Sequence, residues 1–581
     1  MIIHLNAHSS FSLLEAIPSP QELVQAAASF GMPAIALTDH YSLAGVVEFQ
    51  RACKSSGVNP IYGLEINLEP LSKEVESPGR LVLLAEDEQG WANLCSISST
   101  LNLQIPAARP VTLDVLARFG KGVLAISDDQ MDWTGRTLRQ LQEIFPNSLY
   151  VALSNPDGRQ NIRMQQLAAL ANQLRLPLVA LQPIFTVSAA SEKLLKTLAA
   201  IRLVTTIDKV TARELPLAGS VFLSPEQMQQ RFADYPQAVT ATEEIAARCN
   251  FDLPLGKRNF PSIPLPENTT AIEILRQKAD AGATRRYGKI SPAIRERLDF
   301  ELGVIGQLQF EPVFLIVEEI INYARQMGIP TSSRGSAASS LVAYCLGITN
   351  PDPIRHNLYF ERFLNPARSS PPDIDTDICS RGREQVIRHV FETFGEDQTA
   401  MVGTINRFRP RSAISDVAKA HGLTPSQAHE LSRTLPYAFF YRIEESDENE
   451  PSPFRELAAN NRQPEYQRIF QDADAVLNLP RHFSIHAGGI VVGPGRLAGI
   501  IPLQRSGSHN TIITQMDMES VQAFGLVKID LLGIRGLTVL GDVATAVHSW
   551  SRSEYTTPMQ VLDTIPLDDA DTSELIFSGH T

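Results

Sequence analysis

Short apolar runs alternate with helix-like stretches through the first two hundred residues, and this alternation constrains the fold more than any other feature. Ile2–Asn6, Ala34–Thr38, Pro60–Leu68, Arg80–Ala85, Gly122–Ser127, Leu149–Ser154 and Leu176–Leu181 read as strands. Helices are expected near Leu43–Cys53, Gly90–Thr100 and Asn161–Leu174. Another should open at Ser19-Pro20-Gln21-Glu22, with a Ser cap, Pro at the first position and an acidic first turn. Repeated βα units imply a parallel sheet. More than six candidate strands without an evident switch point favour a barrel over a doubly wound layer.

In such a barrel, residues at the C-terminal strand ends carry any chemistry. Those positions hold Asn6 and His8, then Asp39 and His40, then Glu65. His and Glu at one mouth are donors suited to a divalent metal. The later strand end, Gln182-Pro183-Ile184-Phe185, offers no ligand. The competing reading is a mouth lined by satisfied polar side chains.

The 581 residues exceed one barrel, and at about 150 residues per domain they suggest about four domains. A hydrophobic fraction of 43% and a charged fraction of 20% fit a soluble globular chain. The net charge of −13 argues against coating nucleic acid by bulk charge but leaves room for local basic surfaces. Five scattered cysteines without a CxxC pair argue against a disulfide framework or a zinc–thiolate site. No apolar run approaches the ~18 residues of a membrane span. The N-terminus lacks the pattern of a signal peptide. A cytoplasmic protein without a membrane partner is the expectation.

A stretch rich in Pro and polar residues, Leu253–Pro266, marks the likeliest domain boundary by composition. A basic helical stretch follows at Ala271–Gln307, then helix, strand and small-residue helix over Pro312–Pro351. Leu423–Gln471 reads as mostly helical, interrupted by a solvated acidic loop, Glu444–Glu450.

Four later segments carry chemistry. In Pro372-Asp373-Ile374-Asp375-Thr376-Asp377-Ile378, alternation places the aspartates on one strand face. Such a face can bridge two Mg²⁺ ions about 3.5–4 Å apart, and the alternative is a solvated edge strand. Val527-Lys528-Ile529-Asp530-Leu531 puts Lys528 and Asp530 on one face of a second strand. There Asp530 could complete a carboxylate cage and Lys528 could neutralise phosphate, although Lys-x-Asp is common on half-exposed strands. In Thr331–Ser340, small residues opening a helix would leave N–H groups for an anion beside Arg334, or simply pack closely. Arg407, Arg409 and Arg411 alternate in a local stretch, Met401–Ala420, with four basic residues against one acidic. An extended run would aim all three at a phosphate backbone, while an ordinary solvated face is the alternative.

Together the blocks Arg334-Gly335-Ser336, Tyr344–Thr349, Phe360–Pro366, Pro372–Asp375, His486-Ala487-Gly488-Gly489 and Gly525–Gly533 resemble the bacterial C-family DNA polymerases, the family of the DNA polymerase III alpha subunit. The Arg407–Ala413 stretch looks more like the error-prone branch. The resemblance implies an α/β chain with an N-terminal PHP-type (polymerase-and-histidinol-phosphatase) βα barrel, followed by a mixed α+β palm with an inserted helical thumb. It places barrel and connector at 1–255, the first palm part at 256–404, the thumb at 405–484, the second palm part at 485–540 and the start of the fingers at 541–581. It implies template-directed addition of deoxynucleotides to a primer 3′ end, in replication or repair. Asp373, Asp375 and Asp530 would hold two Mg²⁺ ions, and Arg334, Gly335, Ser336 and Lys528 would contact the triphosphate. Arg407, Arg409 and Arg411 are the expected DNA-binding residues. Primer-template DNA, deoxynucleoside triphosphates and replisome subunits such as the clamp and a proofreading subunit are the implied partners. The family continues through the rest of the fingers and through clamp-binding and oligonucleotide-binding regions, which are missing after Thr581.

Metal-binding versions of the barrel read His-x-His where this chain has Asn6-Ala7-His8, and Asp-x-His where it has Pro183 and Phe185. The set Asn6, His8, His40 and Glu65 therefore looks like a degenerate site without metal. Two other functions are weighed against the polymerase: a metal-dependent phosphoesterase or 3′–5′ exonuclease in the barrel, and a non-catalytic DNA-binding fragment.

Overall fold

The computed structural model describes residues 2–579 apart from 71–78, 128–134, 159–161, 367–373, 434, 436–452, 462, 508–509, 552–556 and 567–568. Asp373 and the acidic loop at 444–450 lie outside the described residues. The chain forms two compact units and passes between them repeatedly. One comprises Met1–Leu255, Gly403–Ile485 and Ala498–Ala523, the other Gly256–Val402, His486–Leu497 and Phe524–Thr581.

The first unit begins with β1 (Asn6–Ala7), β2 (Ala34–Leu37), β3 (Asn59–Leu68), β4 (Gly79–Ala85), β5 (Val123–Ser127), β6 (Leu149–Ser154), β7 (Leu178–Leu181) and β8 (Pro183–Ile184). Strands β2 to β7 form one sheet in sequence order. The ends of this sheet meet through β1, which pairs in parallel with β8 and receives hydrogen bonds from Ala36 N to His4 O and Thr38 N to Ala7 O. The result is the expected barrel with one correction: β4 runs antiparallel to both β3 and β5. No helix separates β3 from β4 among the described residues, so the chain returns as an antiparallel neighbour without the crossover that a parallel pair requires. Ile3, Leu84, Ile126 and Val179 share the barrel core with Ile245 from the helix Pro236–Arg248. The helix Pro20–Ser29 opens as its sequence predicts, with Ser19 and Glu22 forming a capping box and Pro20 in the first turn.

Helices from 410 to 475 belong to the same unit. Phe408, Ile414, Val417, Phe454 and Ile469 are buried in a core that includes Leu194 and Leu198 of the helix Glu192–Arg202.

Seven further strands follow: β9 (Thr331–Arg334), β10 (Ile374–Cys379), β11 (Thr399–Arg407), β12 (Pro480–Val492), β13 (Leu503–Arg505), β14 (Ile512–Thr514) and β15 (Lys528–Ile534). In the first unit, β13 and β14 form a hairpin. Leu503 N donates to Ser99 Oγ, and the Trp91 indole donates to Ile500 O, tying this excursion to the helix Glu88–Asn102.

In the second unit, β10 and β15 pair in parallel, flanked by β9 and β12 in antiparallel pairs. The basic stretch read as one helix is two, Ala271–Tyr287 and Pro292–Leu308. Gly288 takes φ +67° and ends the first, while Ser291 caps the second with Pro292 at its start. The first of these helices packs against the short helix Leu341–Cys345 through Gly282, where an added Cβ would lie 1.9 Å from Cys345 O.

Gly282→Ala should therefore destabilise the second unit by about 2 kcal/mol or more, since backbone must move to admit the methyl. Gly303→Ala, with nothing within 4 Å of the added carbon, should be neutral or stabilise by up to about 1 kcal/mol. Hydrogen exchange within Ala271–Tyr287 and denaturant unfolding check the pair.

Candidate active site

The acidic strand folds as its alternation demands. Ile374, Thr376 and Ile378 of β10 are buried, while Asp375 and Asp377 on the opposite face are partly accessible. Parallel register sets Asp375 beside Asp530 of β15, and antiparallel register sets Arg334 of β9 on the other side of Asp375. Gly489 of β12 lies beyond Asp530. Adjacent strands are about 4.8 Å apart and in-register side chains share a face, so Arg334, Asp375 and Asp530 form one transverse row.

Around this row the second unit supplies a small set of polar groups. Lys528 Nζ is 2.6 Å from Asp530 Oδ2, and both residues are about nine-tenths buried. Asp530 Oδ1 is buried without a hydrogen-bond donor, and His486 Nδ1 is 3.8 Å from it. The His486 Nδ1 atom accepts from Gly488 N (3.2 Å) and Gly489 N (2.7 Å), which places the ring proton on Nε2. Burial lowers the His486 pKa despite the nearby Asp530 charge, so the ring is neutral at neutral pH. Gly489 is required here, because a Cβ would come within 2.9 Å of that nitrogen and 3.0 Å of Lys528 Cδ. Arg383 holds the neighbouring backbone, donating from Nε to Leu531 O (2.7 Å) and from Nη2 to Ala487 O (2.6 Å).

The segment around Arg334 departs from expectation. Thr331–Arg334 is a strand, and Gly335–Ser339 is a 3₁₀ turn entered through Gly335 at φ +75°. Arg334 ends the strand exposed, its Nε 3.3 Å from Asp377 Oδ1. Gly335 brings the turn beside Asp375: a Cβ there would be 4.0 Å from Asp375 Oδ2. Ser336 is half-buried in the same turn.

The donor chemistry of Asp375 and Asp530 suits a hard cation, and the unpartnered Asp530 oxygen is the kind of atom such an ion satisfies. Among the described residues, no group of three or more His, Cys, Asp or Glu side chains is gathered as a metal site. The third carboxylate of the expected set, Asp373, lies outside the described residues.

The three arginines do not share one extended run. Phe408 is fully buried and Pro410 starts a helix, so the chain turns at Arg409. Arg407 ends β11 and pairs with Glu48 (3.1 Å) and Asn478 O (3.1 Å), Arg409 is an exposed cap residue, and Arg411 lies exposed in the first helical turn. All three belong to the first unit, whereas the aspartate row belongs to the second.

At the barrel mouth, Asn6 Nδ2 donates to Glu65 Oε2 (2.9 Å) and Arg80 Nη1 donates to Glu65 Oε1 (3.0 Å). His8 Nε2 lies 3.5 Å from the same carboxylate, with the His8 ring stacked on Phe185 at 4.1 Å. Burial opposes ionisation of Glu65, but His8 and Arg80 outweigh it and hold the carboxyl well below the usual range. His40 turns away to Glu15, 3.0 Å from its Oε2, and Arg202 binds the other Glu15 oxygen at 2.9 Å. Both Glu65 oxygens thus face protein donors, while the Nε2 atoms of His8 and His40 are buried without a hydrogen-bond partner. Sequence reading missed Arg80 and Arg202: neither lies in a motif, and only the antiparallel β4 and the helix Glu192–Arg202 bring them to the mouth.

Comparison with known proteins matches residues 4–176 to the PHP domain and residues 273–533 to the bacterial DNA polymerase III alpha NTPase domain. The chain thus joins a PHP module to a polymerase module. It belongs to the bacterial DNA polymerase III alpha family. Across its whole length it is 32% identical to the DNA polymerase III subunit alpha of Bacillus subtilis and 33% identical to the error-prone DNA polymerase of Symbiobacterium thermophilum. It is 31% identical to the Thermus aquaticus DNA polymerase III subunit alpha. The chain spans 52%, 54% and 54% of these relatives, about half the length of each. Among solved structures, an amidohydrolase from Chromobacterium violaceum with bound sulfate and no metal aligns at a TM-score of 0.23 and 14% identity, over 32% of this chain and 88% of its own. That likeness is too distant to bear on mechanism.

Burial opposes ionisation of Glu15 as well, but the hydrogen bond and charge of His40, with Arg202, draw its carboxyl down to about 2 from 4.5. A lowered carboxyl contributes stability above its unfolded pKa and loses it as pH falls towards its folded one. Glu15→Gln should therefore cost about 2 kcal/mol at pH 7, and the difference from wild type should shrink as pH falls from 4.5 towards 2. Denaturant unfolding across that range checks it.

Proposed function

We propose that this chain is the N-terminal part of the catalytic core of a template-directed DNA polymerase, extending a primer 3′ end with deoxynucleoside triphosphates. The observation carrying this reading is the row in which Asp375 and Asp530 lie in register on adjacent parallel strands, between Arg334 and the Gly489 gap. Two carboxylates side by side repel and are costly to bury unless a cation joins them.

Asp375, Asp530 and Asp373 would hold divalent metal, with two Mg²⁺ ions the reading favoured by the family resemblance. When bound, such ions supply activation of the attacking hydroxyl and neutralisation of phosphate charge. The chain's own residues contribute the rest. Lys528, held against Asp530, is a buried ammonium positioned to meet an incoming phosphate. Arg334, Gly335 and Ser336 offer an exposed guanidinium, an open backbone turn and a hydroxyl for the triphosphate. The Nε2–H of His486 is a neutral donor at the edge of the same site.

In this reading residues 1–255 form the barrel and connector, 256–404 and 485–540 the palm, 405–484 the thumb, and 541–581 the start of the fingers. Arg407, Arg409 and Arg411 contact primer-template DNA from the thumb side, Arg407 after release from Glu48. The protein works in the cytoplasm with replisome subunits such as a clamp and a proofreading subunit. Among the described residues no single helix is long and apolar enough to cross a membrane. The barrel is read as metal-free and without phosphoesterase or exonuclease activity, because Asn6 and Arg80 occupy the Glu65 carboxylate.

The test is primer extension by this chain joined to the C-terminal half of its Bacillus subtilis relative. Asp375→Ala or Asp530→Asn should each reduce incorporation at least about 100-fold while leaving DNA binding within about twofold. Incorporation at the wild-type rate in either variant refutes the assignment. Salt-dependent DNA binding by the parent with no incorporation moves the chain to the non-catalytic reading.

A further inference from the structure

The helix Pro292–Leu308 carries a carboxylate that the site above does not use. Glu301 is fully buried, yet all its hydrogen-bonding capacity is spent on one neighbouring segment and on one arginine. Its Oε1 accepts from Arg297 Nε (2.7 Å) and Leu341 N (3.0 Å), and its Oε2 accepts from Ser340 Oγ (2.8 Å) and Val342 N (3.1 Å). Arg297 is equally committed, its Nη2 donating to Ser339 O (3.2 Å) and Leu358 O (3.0 Å). The pair therefore binds every residue from 339 to 342.

Residues 339–342 are the far end of the Arg334–Ser336 segment. Its near end is fixed by register, since Arg334 lies opposite Asp375 in the sheet. Only the 3₁₀ turn Gly335–Ser339 lies between the sheet and the grip of Glu301. A turn of five residues held at both ends has almost no slack, so the place of its backbone N–H groups and of Arg334 depends on the second anchor as much as the first. Beyond the grip, Gly282 packs on Cys345 O and stops the short helix Leu341–Cys345 from sliding.

Packing alone does not account for this choice of residues. A buried ion pair is usually no more stabilising than apolar side chains of the same volume, because desolvating both charges is costly. What the pair adds is direction: four acceptor contacts from one carboxylate define the orientation of the turn's exit in a way that an aliphatic contact cannot.

We propose that Glu301 and Arg297 are positioning residues, holding the Gly335–Ser339 turn in the geometry that receives the triphosphate. This rests on the reading that Arg334–Ser336 is the triphosphate segment.

The experiment uses the full chain and two readouts: equilibrium titration with a fluorescent mant-dATP in the presence of Mg²⁺, and hydrogen exchange of amides 335–342. Glu301→Gln keeps the shape but presents an N–H₂ to a donor-rich site, and Arg297→Lys keeps the charge but gives up the fork. In both variants exchange of these amides should accelerate at least about tenfold and nucleotide affinity should fall about tenfold, with exchange in the barrel strands unchanged. Arg334→Ala, as the reference, should weaken nucleotide binding without accelerating exchange at 340–342. Faster exchange with unchanged affinity in both variants overturns the positioning role, as does wild-type exchange in both. If Arg334→Ala leaves affinity unchanged, or the parent binds no mant-dATP, the triphosphate reading itself fails and the positioning role falls with it. The Arg334→Ala reference thus separates the two failures.

Discussion

The second unit depends on the parallel pairing of β10 with β15. A slip of one residue in that pair would move Asp375 and Asp377 to the buried face. The buried residues Ile374, Thr376 and Ile378 oppose it, because their burial is available in one register only. That register sets two aspartates side by side on adjacent strands, and Lys528 offsets the charge of one of them.

The barrel mouth meets the same electrostatic problem with a different solution. Glu65 is buried among polar groups, and its neutralisation is internal: Arg80 from β4, His8 and the amide of Asn6 take the places that cations would otherwise fill. Glu15 is served likewise by His40 and Arg202. In the second unit the acidic row keeps an unpartnered oxygen on Asp530, whereas the Glu65 oxygens are both engaged. At the barrel mouth the unpartnered buried atoms are instead the Nε2 nitrogens of His8 and His40.

Much of the architecture was legible because burial follows local pattern. The barrel strands stand within a few residues of where the apolar runs placed them, and the Ser19 cap formed as read. Errors arose where a distant partner decides. The direction of β4 depends on its neighbours, not on its own residues. The break at Gly288 is the exception, because Gly288 and the Ser291-Pro292 start mark it locally. Thr331–Arg334 is polar throughout, and it is a strand because β10 supplies the hydrogen bonds. The alternating arginines diverge because Phe408, between them, is drawn into a core built largely by residues up to 70 positions away.

The residues of the candidate site divide along the same line. Sequence by itself determined the carriers of chemistry: the acidic strand, the Lys-x-Asp strand and the Arg-Gly-Ser segment are visible because their residue types are unusual for the runs that contain them. Tertiary structure alone decided their relations. Asp375 and Asp530 are 155 positions apart and become neighbours through strand register, and Arg80 reaches Glu65, and Glu301 the Leu341 and Val342 amides, through contacts that leave no periodic or compositional trace. The physical reason is that side-chain pattern reports the environment a residue needs, whereas electrostatic partnership depends on which elements meet in space, and that is settled only when the whole core packs.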